Sequence, residues 1–353
     1  MNTDLNGIKF PVDSVLIEEI QNIVSELENQ FRTLKDSRIL ITGSSGHLGF
    51  YFLYTLLEAN KSMELNLKIT ALSREKLNNV FDFYSKDFIS LLGDLTDLDF
   101  ATSIEEQDII FHLAGYAQPS KFILDPNSTI ILNTTTLQLL IKKLSSVGSL
   151  LFISSAEVYT NSHAPINTEQ LSGSVNSNHP RAAYIYSKLI GESICNHESK
   201  QSTKNIKVAR LSATYGPGIK EGDTRAVSEF FFNAIRRKKI TLIDRGEAIR
   251  EYLYISDAVK ALFKILTEGK HNLYNIGSGK EGEISIAEVA KCIAKITKAD
   301  LVIPTVNNDI LASTKDANFD ISLYKAEFGN LSSVPFEVGI NKTFNWLLSE
   351  RIS

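Results

Sequence analysis

A short apolar run leads directly into a glycine-rich turn, and this junction narrows the possible folds sharply. The run RILIT occupies residues 38–42, and the turn after it carries Gly43, Gly46 and Gly49. This spacing allows a sharp bend, a close approach of the backbone to a phosphate, and tight packing of the next helix. A helix starting here aims its N-terminal amides and positive dipole end at the phosphates. The turn therefore predicts a dinucleotide site formed by Gly43, Ser45, Gly46, His47, Leu48 and Gly49.

Apolar strands and helix-length segments alternate through the first two-thirds of the chain. Further strands are predicted at residues 68–72, 109–113, 149–154 and 206–211. Strands that are apolar throughout, with helices between them, indicate a parallel sheet covered on both faces. We predict an α/β fold with a Rossmann-type doubly wound parallel sheet over residues 38–215. A smaller substrate-binding part follows over residues 216–353, from which the chain can cross back into the main sheet.

Residues 1–37 precede the first strand and carry a helical pattern. Asp13 or Ser14 is placed to cap a helix that runs to about Leu34. Apolar residues recur along it at steps of three or four, as on one helical face: Leu16, Ile20, Ile23, Leu27 and Phe31. Such a face can pack on its own domain or form an oligomer contact, and we favour the first role.

Composition excludes several classes of function. Lys and Arg total 37 against 41 Asp and Glu, and this net charge of −4 argues against nucleic acid as the main partner. The apolar runs fall far short of the ~20 residues that span a bilayer, and MNTDLNGIKF lacks the pattern of a secretion signal. Two cysteines, Cys195 and Cys292, with six scattered histidines, indicate no metal site. We expect a cytoplasmic protein without membrane partners.

The end of the second strand distinguishes NAD from NADP. An acidic residue there accepts a hydrogen bond from the ribose 2′-hydroxyl, whereas an arginine suits a 2′-phosphate. The sequence has Ser73 and Arg74 at this place and no acid before Glu75, so charge favours NADP. Asp94, followed by Leu95, is placed either to accept from the adenine amino group or to cap a helix.

Tyr184 and Lys188 are four residues apart and therefore share a helical face. An ammonium beside a phenol favours the phenolate and lowers the tyrosine pKa from about 10. Such a tyrosine can move the proton of a carbinol while hydride passes to nicotinamide. Ser155 and Glu157 follow the strand at 149–154, at the strand end where doubly wound folds bind ligands. We predict that Ser155 hydrogen-bonds the reacting oxygen and that Glu157 is a second acid or base.

Together these residues resemble the extended short-chain dehydrogenase/reductase family, in its nucleotide-sugar epimerase/dehydratase branch, over roughly residues 38–350. The matching segments are TGSSGHLG, LLGDLTD, FHLAG, FISSAEVYT, PRAAYIYSK, ARLSATYGPG and AIREYLYISDAV. The resemblance implies tightly bound NAD and transient oxidation at C4 of a nucleotide sugar. Tyr184 would take the O4 proton, assisted by Lys188 and Ser155. The resemblance also implies cofactor contacts at Leu113, Ala114 and Gly115, and substrate contacts at Asn133, Arg181, Arg225 and Arg250.

The exact reaction stays open between branches of the family. UDP-glucuronate decarboxylases and 4,6-dehydratases both resemble this chain in the glutamate at position 157. Ala156 cannot protonate a leaving hydroxyl as the dehydratase aspartate does, and PRAAY resembles the PRxxY of the decarboxylases. Ala213 and Thr160 depart from the family's asparagine and glycine. We predict decarboxylation of a UDP-glucuronate-like substrate, with 4,6-dehydration and then 4-epimerisation as alternatives.

The same residues bear on two further functions, a non-catalytic sensor and a reductase, and on the oligomeric state. A non-catalytic dinucleotide sensor usually lacks one catalytic group, but Ser155, Tyr184 and Lys188 are all present. A reductase that consumes NADPH stays open because of Arg74. Many relatives are dimers through a four-helix interface that includes the Tyr-x₃-Lys helix, so the resemblance implies a homodimer. It also implies a setting in polysaccharide or sugar-precursor synthesis.

Overall fold

The computed structural model describes residues 14–305, 320–331 and 334–352. Its α-helices are α1 (Ser14–Glu26), α2 (Glu28–Arg32), α3 (His47–Met63), α4 (Leu98–Ser103), α5 (Pro119–Leu124), α6 (Pro126–Asn133), α7 (Thr135–Lys142), α8 (Ala182–Gln201), α9 (Ala226–Arg237), α10 (Ile255–Glu268), α11 (Ile286–Thr297), α12 (Ser322–Phe328) and α13 (Phe336–Ile352). Its strands are β1 (Arg38–Thr42), β2 (Lys68–Ser73), β3 (Phe88–Leu92), β4 (Gln107–His112), β5 (Leu144–Ser155), β6 (Asn205–Leu211), β7 (Ala213–Tyr215), β8 (Lys239–Thr241), β9 (Ile249–Tyr254), β10 (Leu273–Ile276), β11 (Glu283–Ser285) and β12 (Asp300–Val302).

Seven strands form the main sheet in the order β10-β6-β5-β4-β1-β2-β3, and all of its neighbouring pairs are parallel. The predicted doubly wound parallel sheet is therefore confirmed. The strand order reverses between β1 and β4, because the chain returns from β3 to the opposite side of β1. Ligands bind in the crevice that such a reversal opens at the carboxyl ends of the strands.

The sheet is apolar on both faces, which explains the uninterrupted apolar runs in the sequence. Along β1, Ile39 and Ile41 belong to one hydrophobic cluster, whereas Leu40 belongs to a second cluster on the opposite face. Successive strand residues point to opposite faces, so a strand covered on both sides needs no polar alternation. The edge strand β3 is the exception, since Ile89 and Leu92 are exposed.

The later part of the chain contributes both to the main sheet and to the walls around its carboxyl edge. Strand β10 pairs with β6, so the chain crosses back into the main sheet, and α10 packs beneath it. Strands β7, β9 and β11 form a small sheet, and β8 pairs with β12 in a second one. These small sheets place residues from the later part opposite the Tyr-x₃-Lys helix.

The N-terminal segment is helical but interrupted, because Leu27 separates α1 from α2 where one continuous helix was predicted. The five apolar residues of the predicted face are all buried, with at most 3% exposure. Helix α1 packs against α3, α10 and α13, which confirms packing on the chain's own domain. The alternative cap Asp13 lies outside the described residues.

The described part of the chain shows neither a membrane-spanning helix nor a cluster of metal ligands. There, no helix combines the length and apolar character needed to cross a membrane. The same residues hold no group of three or more His, Cys, Asp or Glu side chains arranged for a metal ion. Cys195 is buried and Cys292 is half-buried, and both are free thiols.

Candidate active site

The glycine-rich turn connects β1 to α3 at the carboxyl edge of the sheet. Gly43 has φ +69°, a conformation that side chains rarely adopt. A Cβ on Gly49 would stand 2.1 Å from the carbonyl oxygen of Gly43, so only glycine permits this packing. Gly46 caps α3, whose free N-terminal amides face the crevice. The local geometry therefore gives the three glycines the roles expected in a diphosphate-binding turn.

A cavity of about 210 Å³ opens beside this turn. It is lined by most of the predicted cofactor residues: Gly43, Ser45, Gly46, His47, Ser73, Arg74, Asp94, Leu95, Leu113, Ala114 and Gly115. Leu48 and Gly49 line an adjoining, larger cavity. Glycines let the backbone approach a dinucleotide diphosphate closely, and the helix N-terminus favours its negative charge. These residues therefore fit NAD.

Arg74 is already engaged at the predicted adenine end of this cavity. Its Nη1 donates to the hydroxyl of Tyr116 at 2.5 Å, and its guanidinium lies 4.9 Å from that ring's centroid. The carboxylate of Asp94 stands 3.7 Å from Arg74 and balances its charge. Tyr116 and Asp94 therefore hold Arg74 at the predicted adenine end, where its guanidinium stays half-exposed. Asp94 also accepts from the backbone N–H of Thr96, whereas the cap of α4 is Asp97.

The larger cavity measures about 560 Å³ and contains all four predicted catalytic residues. Ser155 ends β5, and Glu157 lies in the single turn of 3-10 helix that follows it. Tyr184 and Lys188 project from the first turns of α8. The two cavities share the glycine-rich turn and the loop after β4, so a cofactor in one would reach the catalytic side chains in the other.

Tyr184 is held as a buried phenol. Its ring stacks on Phe122 with centroids 4.4 Å apart, and only 6% of the residue is exposed. Burial, with the nearby Glu157, raises the pKa of Tyr184 above its usual value, against the opposing hydrogen bond with Ser155. Lys188 is not among the groups that shift this pKa, and its ammonium lies 5.9 Å from the Tyr184 ring centroid. That Lys188 lowers the pKa of Tyr184 during catalysis stays a prediction.

Lys188 is buried behind the catalytic tyrosine. Its Nζ donates to the carbonyl oxygen of Ile153 at 2.7 Å. Burial lowers the pKa of Lys188 to about 7, while Glu192 acts in the opposite direction. Glu192 follows one helical turn later and accepts from the hydroxyl of Ser154 at 2.5 Å. The lysine is therefore poised to lose or keep its proton near neutral pH.

One carboxyl oxygen of Glu157 is paired, and the other has no hydrogen-bond partner among the described residues. Its Oε1 lies 2.5 Å from Nη1 of Arg181, which also lines the larger cavity. Its Oε2 is buried and has no hydrogen-bond partner among the described residues. A buried acceptor without a partner is costly, by about 1–3 kcal/mol, and calls for a ligand group or water. The ion pair with Arg181 therefore fixes the carboxyl group, and its second oxygen keeps an unused hydrogen-bonding capacity.

Asn133 lies beside the cavities rather than in their walls, and its contact with the substrate stays a prediction. Its side chain is fully buried in α6 and does not line either cavity. Its Nδ2 donates to the hydroxyl of Ser187 and to the carbonyl of Thr129, both at 3.0 Å. Asn133 therefore fastens α6 to the helix that carries Tyr184 and Lys188.

Arg225 and Arg250 reach the larger cavity from the later part of the chain. Arg225 precedes α9 and forms an ion pair with the buried Asp223 at 2.6 Å. Burial alone would raise the pKa of Asp223, but the hydrogen bonds from Arg225 lower it. Arg250 lies on β9, and its Nη1 donates to the carbonyl of Ile249 at 2.6 Å. Two guanidinium groups in one wall suit the recognition of phosphate oxygens.

Several contacts of the site were not identified from the sequence. Phe122 and Tyr116 lie in loops and helices without a motif, so nothing in the sequence indicated that they stack on Tyr184 and Arg74. Asp223 stands two residues before Arg225, and an acid so near a predicted phosphate-binding arginine was a usable signal.

The whole chain was compared with known sequences. The model of the NAD dependent epimerase/dehydratase family matches residues 39–277. UDP-glucuronic acid decarboxylase 1 of Xenopus tropicalis is 28% identical over 347 residues, 95% of this chain and 79% of that protein. UDP-glucuronic acid decarboxylase 6 of Arabidopsis thaliana is 29% identical over 285 residues, covering 80% and 81%. The match to the family extends over most of the predicted resemblance.

Solved structures agree in fold. The epimerase Mth375 from Methanothermobacter thermautotrophicus superposes with a TM-score of 0.77 at 20% identity, over 93% of this chain and 97% of that one. MoeE5, solved with UDP-glucuronic acid and NAD, gives a TM-score of 0.72 at 18% identity, over 89% and 99%. With the glycine-rich turn, the Ser155–Tyr184–Lys188 set and the family match in agreement, this chain belongs to the NAD dependent epimerase/dehydratase family.

Proposed function

We propose that this chain decarboxylates a UDP-glucuronate-like nucleotide sugar through a transient 4-keto intermediate. The observation that carries the proposal is Glu157, a residue of the cavity wall beside Tyr184 that holds one oxygen on Arg181 and keeps a second, buried oxygen without a partner among the described residues. Epimerisation at C4 needs no carboxyl group at this place. A reaction that changes bonding at C5 does.

The residues divide the chemistry between them. Bound NAD supplies the acceptor and later the donor of the C4 hydride. Ser155, hydrogen-bonded to Tyr184, would orient the O4 hydroxyl while Tyr184 takes its proton. Oxidation at C4 makes the substrate a β-keto acid, whose C5–C6 bond breaks to release CO₂. Glu157 is placed to relay to C5 the one proton that loss of CO₂ consumes, which comes from solvent. Once the hydride is back on C4, O4 regains its proton from Tyr184.

Dehydration is the alternative that the same glutamate permits. A 4,6-dehydratase must also protonate a leaving hydroxyl, and Ala156 offers no acid for that step. Arg181 lines the same cavity, and its guanidinium has further N–H donors beside the one that holds Glu157, which suits contact with a sugar carboxylate. The relatives named as UDP-glucuronic acid decarboxylases support the same choice.

The proposal assigns the two parts of the chain separate tasks. Residues 38–215 would hold the cofactor and the catalytic groups. Residues 216–353 would hold the nucleotide through Arg225 and Arg250, which both line the larger cavity. The cytoplasmic location and the role in polysaccharide or sugar-precursor synthesis stay predictions of the sequence.

A panel of nucleotide sugars tests the reaction. Purified protein is incubated with NAD and, in parallel, UDP-glucuronate, UDP-glucose, UDP-N-acetylglucosamine, dTDP-glucose and GDP-mannose, and product masses are read. We expect loss of the mass of carbon dioxide from UDP-glucuronate alone. Loss of water from a hexose nucleotide would establish a dehydratase. An unchanged mass together with a new isomer detected by NMR would establish an epimerase. Either of these two results would overturn the proposal.

The proposal includes a homodimer. Apolar side chains are exposed on three helices that pack against one another, namely Ile123 and Leu124 on α5, Ile130 on α6 and Ile190 on α8. Exposed apolar side chains grouped on neighbouring helices fit an interaction site better than scattered ones do. We expect sedimentation velocity to show a dimer, and Ile190→Glu to convert it to a monomer. A monomeric wild type would overturn this part.

A further inference from the structure

Glu19 is a buried acidic residue that the catalytic mechanism does not use. It lies in α1, outside the segment that matches the family, and only 3% of it is exposed. Three donors converge on it. The hydroxyl of Tyr51 donates to Oε2 at 3.0 Å, the hydroxyl of Tyr254 donates to Oε1, and Nζ of Lys342 lies 3.2 Å from Oε1. Such compensation is what a buried carboxyl group requires.

The three donors come from three different parts of the fold. Tyr51 belongs to α3, the helix of the glycine-rich turn, and Lys342 belongs to α13 near the end of the chain. Tyr254 is the last residue of β9. Glu19 therefore joins both terminal helices to a strand of the substrate wall. Burial raises the pKa of Tyr254, so its phenol stays protonated and remains a donor.

Strand β9 leads from this junction into the substrate cavity. Arg250, Tyr252 and Tyr254 are alternate residues and share one face of the strand. Arg250 and Tyr252 line the larger cavity. The ring of Tyr215 contacts both tyrosines, with centroids 5.5 Å from Tyr254 and 6.1 Å from Tyr252. A shift at the end of β9 is thus passed to the cavity wall through close-packed rings.

We propose that Glu19 is a positioning residue that fixes β9 through Tyr254 and so places Arg250 for the nucleoside diphosphate of the substrate. This inference rests on the proposed nucleotide-sugar activity. A hydrogen bond to a charged acceptor is about twice as strong as a neutral one, which suits it to hold a strand end. The cofactor turn leads into α3, which reaches Glu19 through Tyr51 and not through Tyr254.

The test compares two tyrosines that donate to the same carboxyl group. In Tyr254→Phe the contact to β9 is lost, whereas Tyr51→Phe removes an equivalent hydrogen bond that does not reach β9. For the NAD-loaded enzyme, we expect Tyr254→Phe to weaken UDP binding by about tenfold and to raise KM for the nucleotide sugar with kcat unchanged. Tyr51→Phe should leave both unchanged, and neither variant should alter NAD affinity.

The outcomes separate positioning from simple stability. Equal UDP affinity in Tyr254→Phe and the wild type, or equal losses in Tyr254→Phe and Tyr51→Phe, would overturn the positioning role. Glu19→Gln, measured in the same way, takes the place of Tyr254→Phe if the latter does not fold. A wild type that binds neither UDP, GDP nor dTDP would overturn the proposed function and this inference with it. A wild type that binds UDP but fails to release CO₂ from UDP-glucuronate would overturn the reaction alone.

Discussion

Tyr184→Phe is expected to lower kcat by about 10²–10⁴-fold, the usual contribution of a positioned acid or base. The substitution removes only the ionisable hydroxyl group and keeps the ring that stacks on Phe122. The fold and NAD affinity should therefore stay close to those of the wild type. Turnover of the preferred nucleotide sugar, thermal unfolding and NAD binding measure the three quantities.

Tyr186 provides the matched control on the same helix. It lies two residues further along α8, is 40% exposed, and donates its hydroxyl to the carbonyl of Val175 at 2.5 Å. Tyr186→Phe removes the same hydroxyl group from the surface side of the helix, so we expect nearly full turnover. Turnover in Tyr184→Phe within a few-fold of the Tyr186→Phe value would contradict the catalytic assignment.

The raised pKa of Tyr184 means that its phenol keeps its proton unless further positive charge comes close. Burial and Glu157 both disfavour the phenolate, and only the hydrogen bond with Ser155 and the arginines of the cavity oppose them. A phenolate would need further positive charge close to the ring. Oxidised NAD held by the glycine-rich turn would supply positive charge there, beside the charges of Arg181 and Arg225.

The sheet was predictable because its strands are apolar on both faces and alternate with helix-length segments, whereas the strand order was not predicted. The run at 38–42 coincides with β1, and Ser155, Tyr184 and Lys188 come together because strand ends and the start of α8 meet at one edge. The break at Leu27 was not predictable, because the apolar periodicity continues through it on one face.

Asn133 and Lys188 show where sequence reasoning reached its limit. A motif places a residue along the chain, but burial decides whether its side chain reaches a ligand. Asn133 matches the family position and yet bonds only to Ser187 and Thr129 through its amide nitrogen. The spacing of Tyr184 and Lys188 gives one helical face, but the distance from ammonium to ring is set by the carbonyl of Ile153.

Arg210→Met is expected to lower the free energy of unfolding by about 3–5 kcal/mol, since it leaves a buried charge uncompensated. Arg210 lies on β6 with its side chain 4% exposed. Its guanidinium donates to both oxygens of Glu192 at 2.9 and 2.7 Å, and to the hydroxyl of Tyr159 and the carbonyl of Leu171, each at 2.7 Å. The network therefore joins β6 and α8 behind the catalytic residues.

Arg32→Met is the control, because its partner Glu28 and Arg32 itself are both more than half exposed. Exposed pairs contribute about 0–1 kcal/mol, so this variant should unfold near the wild-type urea midpoint.

The double variant Glu192→Met/Arg210→Met should recover much of the loss, since replacing both charges removes the unpaired one. Equal urea midpoints for Arg210→Met and Arg32→Met would contradict the structural role. A double variant no more stable than Arg210→Met would instead show that Ser154 and Tyr159, left without charged partners, carry the greater penalty.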